Sequence, residues 1–222
     1  MSVERTRGIV LRVRALTETS LIVHWLTPDQ GRMSTVAKGA KRPKSPFRGK
    51  LDLFYSCDLS YQRSRRSDLH TLREVALREA NSALRIDINR LRQAAYAAML
   101  IEALSEVGTP LPGFYELMTE YLQHLHSGSA RPLVVLGFEV RLLDALGLSP
   151  SPETGSTSAG AGQIISFLQR APFQVAGRLE ASASQRKEIQ FLLGSVLLQH
   201  LGRPPRGREL ALNAGAGEVA GG

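Results

Sequence analysis

An α+β fold is predicted for this chain, a five-stranded β-barrel followed by an α-helical domain, and three observations predict it. Up to about residue 80, apolar residues recur with a period of two in five short runs joined mostly by hairpin-length turns. From residue 89 onward they recur at helical spacing. The charge changes near the same place: residues 1–78 hold 16 Lys and Arg against 7 Asp and Glu, whereas residues 79–222 hold 12 against 13. At 222 residues and 43% apolar content, the chain is long enough for one large domain or two small ones and can bury a real core. The expected division is a barrel over residues 1–80, a helical domain over 81–202 with a flexible insertion at 149–162, and a disordered tail over 203–222.

The strands follow in order. Residues 7–14 place Ile9, Leu11 and Val13 on one side and Val10, Arg12 and Arg14 on the other, the alternation of a half-buried strand. Thr17, Glu18, Thr19 and Ser20 break it. Residues 21–27 form a second strand with Leu21, Val23 and Trp25 in register, and Pro28, Asp29, Gln30 and Gly31 make a turn. Residues 32–37 are a short third strand. Leu51, Leu53, Tyr55, Cys57, Leu59 and Tyr61 alternate with polar positions, which predicts a fourth, with Phe54 on its more polar face. Residues 69–79 give the fifth. Five short strands in so little chain suit a closed barrel of the oligonucleotide-binding (OB) type.

Between the third and fourth strands lies the stretch to which the charge asymmetry points. Lys38, Lys41, Arg42, Lys44, Arg48 and Lys50 put six cations, no acid and one aromatic, Phe47, into thirteen residues. Pro43 and Pro46 push Arg42 and Ser45 away from helical angles, so the charges are expected on semi-extended, exposed chain. Like charges at this density do not neutralise one another, and an outside anion is the natural partner. The competing reading is a solvated loop that aids solubility. A second basic cluster follows at Arg63, Arg65 and Arg66. OB barrels bind single strands with a charged groove and aromatic faces, each stacked base contributing about 1–3 kcal/mol. Phe47, Phe54 and Tyr61 are the stacking candidates, Phe47 first; for Phe54, Tyr61 and Trp25 a place in the core is the stronger expectation.

The helical part opens with residues 89–106, apolar over much of the circumference and therefore expected at the centre of the domain. Phe114, Leu117, Met118, Tyr121, Leu122 and Leu125 form one stripe of a second helix. Residues 131–147 give a third, and Ser182 with Gln185 forms a capping box opening a last helix that runs to residue 201. These stripes read first as core, with a groove for a partner peptide as the alternative. Residues 149–162 contain no aliphatic side chain larger than alanine, hence the flexible insertion. The tail carries Arg203, Arg206 and Arg208, suited to weak anion contacts.

Other chemistries find no support. There is no phosphate-cradling Gly-Lys-Ser/Thr loop and no carboxylate cluster for two-metal nuclease chemistry. His124 and His126, two apart on a helix, point to different sides. Cys57 is the only cysteine, expected to be a core thiol. No apolar run approaches the roughly 18 residues of a membrane span, and no signal peptide is seen, so the chain is expected in the cytoplasm. The expectation is a binding protein, not an enzyme, with no cofactor and no metal. A general single-stranded DNA- or RNA-binding barrel, and a scaffold for an acidic protein tail, remain the alternatives.

The run of residues 36–45, followed by Phe47, Arg48, Gly49, Leu51 and Phe54, resembles the signature of the bacterial RecO family of recombination mediators. Gly8, Ile9, Val10 and Leu11, then Thr17, Glu18, Thr19, Ser20 and Leu21, and Gly31 with Arg32, also fit its pattern. The specific part covers residues 3–80; beyond it the resemblance is one of helical order, as in Gly137, Phe138 and Glu139 with Leu142, Leu143, Leu146 and Gly147. The resemblance implies an OB-type barrel and a helical domain, binding to single- and double-stranded DNA, and annealing of complementary strands coated with single-strand binding protein. It also implies cooperation with RecR in loading RecA during gap and break repair, contact with the acidic tail of single-strand binding protein through the helical domain, and a nucleoid-associated location in the cytoplasm. The DNA-binding residues on this reading are Lys38, Lys41, Arg42, Lys44, Phe47, Arg48, Lys50, Arg63, Arg65 and Arg66. Many members of the family carry a cysteine zinc motif after the counterpart of Leu148; residues 149–162 here have no cysteine, so no zinc site is carried over.

Overall fold

The computed structural model describes residues 3–149 and 157–213. The chain forms two compact units, Met1–Asn81 with Ser105–Thr119, and Ser82–Leu104 with Glu120–Gly222.

The first unit is a closed barrel. Its strands are β1 (Val3–Ala15), β2 (Leu21–Thr27), β3 (Gly31–Ala37), β4 (Ser56–Gln62) and β5 (Leu69–Glu79), and their order around the barrel is β1-β2-β3-β5-β4. β1 is long enough to serve two neighbours: its first half pairs with β4 from Val3 to Ile9, and its second half pairs with β2 from Ile9 to Ala15. Closure comes from a short parallel contact in which Ser34, Thr35 and Val36 face Leu69, His70 and Thr71. Strands that close on one another leave fewer unpaired edges.

The interior holds Val10, Val23, Trp25, Met33, Cys57, Leu59, Tyr61, Leu72 and Val75. Two predicted registers change. A bulge between Val10 and Arg12 shifts the pairing of β1, so Val10 and Val13 face the interior cluster; straight alternation had put Val10 with the arginines. β4 begins at Ser56, because residues 51–55 turn; there Phe54 is buried at φ +63 and its carbonyl accepts from the side-chain amide of Asn81 at 2.7 Å. Cys57 lies in this core as expected. Burial, and secondarily Asp58, pushes its thiol up to about 12, which leaves it without a thiolate at neutral pH.

Residues 105–119 belong with the barrel, although the sequence placed them in the helical domain. Gly31 explains how they fit. Its φ is +62, and a Cβ there would stand 2.2 Å from the Thr109 carbonyl oxygen, so only glycine lets this segment pass. The adjacent Arg32 carbonyl accepts from the Gly108 amide at 2.8 Å, and the Arg32 guanidinium donates to the hydroxyl and carbonyl oxygens of Ser105.

The second unit is helical: α1 (Ala83–Ile86), α2 (Ile88–Leu104), the later part of α3 (Phe114–Ser127), α4 (Pro132–Ala145), α5 (Ala159–Leu168), α6 (Phe173–Ala176), α7 (Ala183–Leu201) and α8 (Arg208–Leu212). The most enclosed helix is α4, with ten of its fourteen residues buried; α2, expected at the centre, buries seven of seventeen. The capping box of Ser182 and Gln185 opens α7 as the spacing predicted. Two expectations are corrected within the described residues. The predicted insertion at 149–162 is helical from Ala159, capped by Ser158, with Ala161 buried; residues 150–156 lie outside the described residues. The predicted disordered tail contains α8, with Ala211 and Leu212 buried; residues 214–222 lie outside the described residues.

Candidate nucleic-acid interface

The loop between β3 and β4 is a chain of turns rather than semi-extended. Backbone bonds link Arg42 to Gly39, Ser45 to Arg42, Arg48 to Ser45 and Lys50 to Phe47, each N–H donating three residues back. The turn after β1 holds its start: the Lys41 amide donates to the Thr19 carbonyl at 2.9 Å and the Gly39 amide to the Ser20 hydroxyl at 3.3 Å. Ala40 and Phe47 reach into the barrel core, with Leu51 and Tyr55 packed beside them.

Phe47 is therefore an anchor. It is only 6% exposed, so the stacking role expected for it is corrected; Phe54 and Tyr61, at 3% and 1%, are also closed to bases. The reason is amphipathic: one aromatic among many cations is the group that leaves water and holds the loop. Lys38, Lys41, Arg42, Lys44 and Arg48 stay exposed, while Lys50 is half-buried. Arg48 donates to the Pro43 carbonyl at 3.2 Å. Among the described residues, Lys38, Lys41, Arg42, Lys44, Arg65 and Arg66 pair with no carboxylate.

The second basic cluster forms the turn between β4 and β5. Arg63, Arg65 and Arg66 are exposed, and Arg63 lies 3.7 Å from Glu4. The fold brings this turn to the root of the first loop. Lys38, Arg63, Arg65 and Arg66 line one groove of about 640 Å³ together with Arg73, and no carboxylate lines it. Arg73 was missed by sequence reasoning, since it sits on β5 and reaches the groove only through the pairing of that strand; its guanidinium donates to the Gln62 side-chain oxygen. Lys41, Arg42, Lys44, Arg48 and Lys50 do not line this groove and stand beyond its Lys38 end in the chain.

The turn is fixed at its base by His70. Its ring stacks on Tyr61 with centroids 5.4 Å apart, and Nδ1 accepts the Ser64 amide at 3.3 Å. Tyr61 in turn donates to Glu4 at 2.7 Å. Burial, then the positive charge of Arg63, holds the His70 pKa below its ordinary 6.5, with Glu4 and Asp68 opposing. His124, in the helical unit, is lowered chiefly by burial as well. A histidine depressed in the fold takes its proton more readily when unfolded, so its stabilising contribution is complete above the ordinary value and is lost as pH falls through the depressed one. The urea midpoint should accordingly drop as pH is lowered from about 7 to about 5. His70→Phe, which keeps a ring on Tyr61, should flatten part of that drop; an unchanged profile would remove His70 from the account.

A closed barrel of OB topology with a carboxylate-free cationic groove, followed by a helical unit, defines an OB-type barrel protein of α+β class. Comparison with known sequences narrows this. The family described as "Recombination protein O N terminal" matches residues 1–81, and "Recombination protein O C terminal" matches residues 85–157. A DNA repair protein RecO of Roseiflexus sp. (strain RS-1) is 29% identical over 92% of this chain and 83% of its own length. That of Anaeromyxobacter sp. (strain K) is 34% identical over 64% of this chain and 56% of its own length, and that of Bacillus pumilus (strain SAFR-032) is 30% identical over 66% and 56%. The chain thus spans little more than half the length of several curated relatives that it matches. It belongs to the RecO family, whose relatives named above are DNA repair proteins. Among the described residues no helix is long and apolar enough to cross a membrane.

Proposed function

We propose that this chain is a recombination mediator that works by binding rather than by bond-breaking chemistry. It binds single- and double-stranded DNA through the loop cations and the β4–β5 turn, and it anneals complementary strands coated with single-strand binding protein. With RecR it helps to load RecA, acting in the cytoplasm at the nucleoid. The observation that carries the DNA-binding step is the carboxylate-free groove that Lys38 lines together with Arg63, Arg65, Arg66 and Arg73. Family membership supports the repair setting, and the cooperation with RecR, RecA and the acidic tail of single-strand binding protein follows from the resemblance.

Physically, phosphates on two strands repel one another until cations stand between them. A protein that neutralises both, and is recruited through the coating protein, lets base pairing proceed. Binding of a single strand releases counterions, so affinity must fall with salt. If the six loop cations each meet one phosphate, they contribute about −4 to the slope of log K against log salt, and contacts by the groove arginines steepen it further. A titration of a fluorescent single-stranded oligonucleotide over a range of salt measures it, and a slope near −1 would mean that most of these cations only face water.

A further inference from the structure

We propose that the barrel holds two strands at once, one on each side of the β4–β5 turn, with a second phosphate-backbone site in the groove that Gln30, Arg32 and His70 line. This rests on the nucleic-acid binding proposed above. The turn separates two grooves: the cationic one described, and another of about 450 Å³ in which Arg63, Ser64, Arg65 and Arg66 are again lining residues, now with Gln30, Arg32, Asp68 and His70. The same arginines thus border both.

The turn is built to keep that position. Besides the Ser64–His70 bond, the Arg66 amide donates to the Ser64 hydroxyl at 3.3 Å, Ser64 and Ser67 hydroxyls lie 3.2 Å apart, and the Ser67 hydroxyl contacts the Leu69 carbonyl at 3.4 Å. A guanidinium carries five donors in a plane, so exposed arginines at the tip can serve phosphates on either side. Cations between two phosphate chains remove the repulsion that opposes pairing.

The two grooves differ in strength. The first has five cations and no acid. The second contains Asp68, and its Arg32 already donates to Ser105, which does not line the groove, so Arg32 contributes its charge with part of its donor set already engaged. A strong site next to a weak one suits annealing: one strand is held while the other is sampled and released until its bases match.

Three substitutions separate the sites. Arg73→Glu changes only the first groove and should weaken single-strand affinity by at least about fivefold at 0.1 M salt, the counterion contribution of one phosphate. Gln30→Glu and Asp68→Lys change only the second, adding an acid and replacing one by a cation. Single-strand affinity should stay within twofold in both, as on the order of a single weak contact, while the annealing rate falls in Gln30→Glu and rises in Asp68→Lys. If Gln30→Glu weakens single-strand binding as much as Arg73→Glu does, one strand wraps the turn and the two-site assignment is overturned. Wild-type annealing that neither Gln30→Glu nor Asp68→Lys alters would also overturn it, leaving the annealing function standing. Failure of the wild-type protein to bind single strands would overturn both.

Discussion

Replacing Lys41, Arg42 and Lys44 together by glutamate should abolish measurable single-strand binding and leave the fold intact. All three are exposed and, among the described residues, pair with no carboxylate, so nothing in the barrel depends on their charge. The loop is held by Phe47 and Ala40 in the core, and by backbone bonds to Thr19 and Ser20. Three lost phosphate contacts remove about two units from the salt slope, and at 0.1 M salt this alone costs about 100-fold in affinity. The new negative charges add repulsion to that. The denaturation midpoint should shift little, since exposed charges contribute at most about 1 kcal/mol each. Affinity that survives the triple reversal would take the loop out of the mechanism.

Arg208→Met should destabilise the helical unit by about 3–5 kcal/mol, the usual cost of orphaning a buried charge. Glu139 on α4 is fully buried, and both its oxygens accept from the Arg208 guanidinium at 2.8 Å; Tyr96 of α2 donates to it as well. Removing only the arginine leaves a carboxylate without its counter-charge. Adding Glu139→Met and Tyr96→Phe removes the remaining polar groups and should restore most of the stability, which distinguishes an orphaned charge from lost packing. A single-variant cost under about 1 kcal/mol in a denaturation titration would mean that Glu139 finds solvent.

This ion pair marks where local sequence reading ends. Arg208 sits in a Gly- and Pro-rich stretch that looks like a tail, and its partner is 69 residues away with no periodic signal joining them. The strands were legible because half-buried alternation is a local property: the extents of β2 and β5 match it closely. Alternation misled where it continued through irregular backbone, at the Leu11 bulge of β1 and in the turns of residues 51–55. The cations of the site were legible from composition. Phe47 was misplaced because its charged neighbours suggested water, whereas the loop needs one apolar group to fix it. Arg73 required the strand order, which places β5 between β3 and β4. Gly31 and Arg32 were noticed as a pattern, and the structure supplies its cause in the Thr109 backbone and Ser105.

The central claim is tested most directly by the rate at which two complementary DNA strands, each precoated with single-strand binding protein, anneal with and without this chain. The account predicts acceleration by the wild-type protein, lost in the Lys41, Arg42 and Lys44 reversal while its denaturation midpoint is kept. No acceleration by a wild-type protein that still binds single strands would contradict it and leave a general nucleic-acid binder.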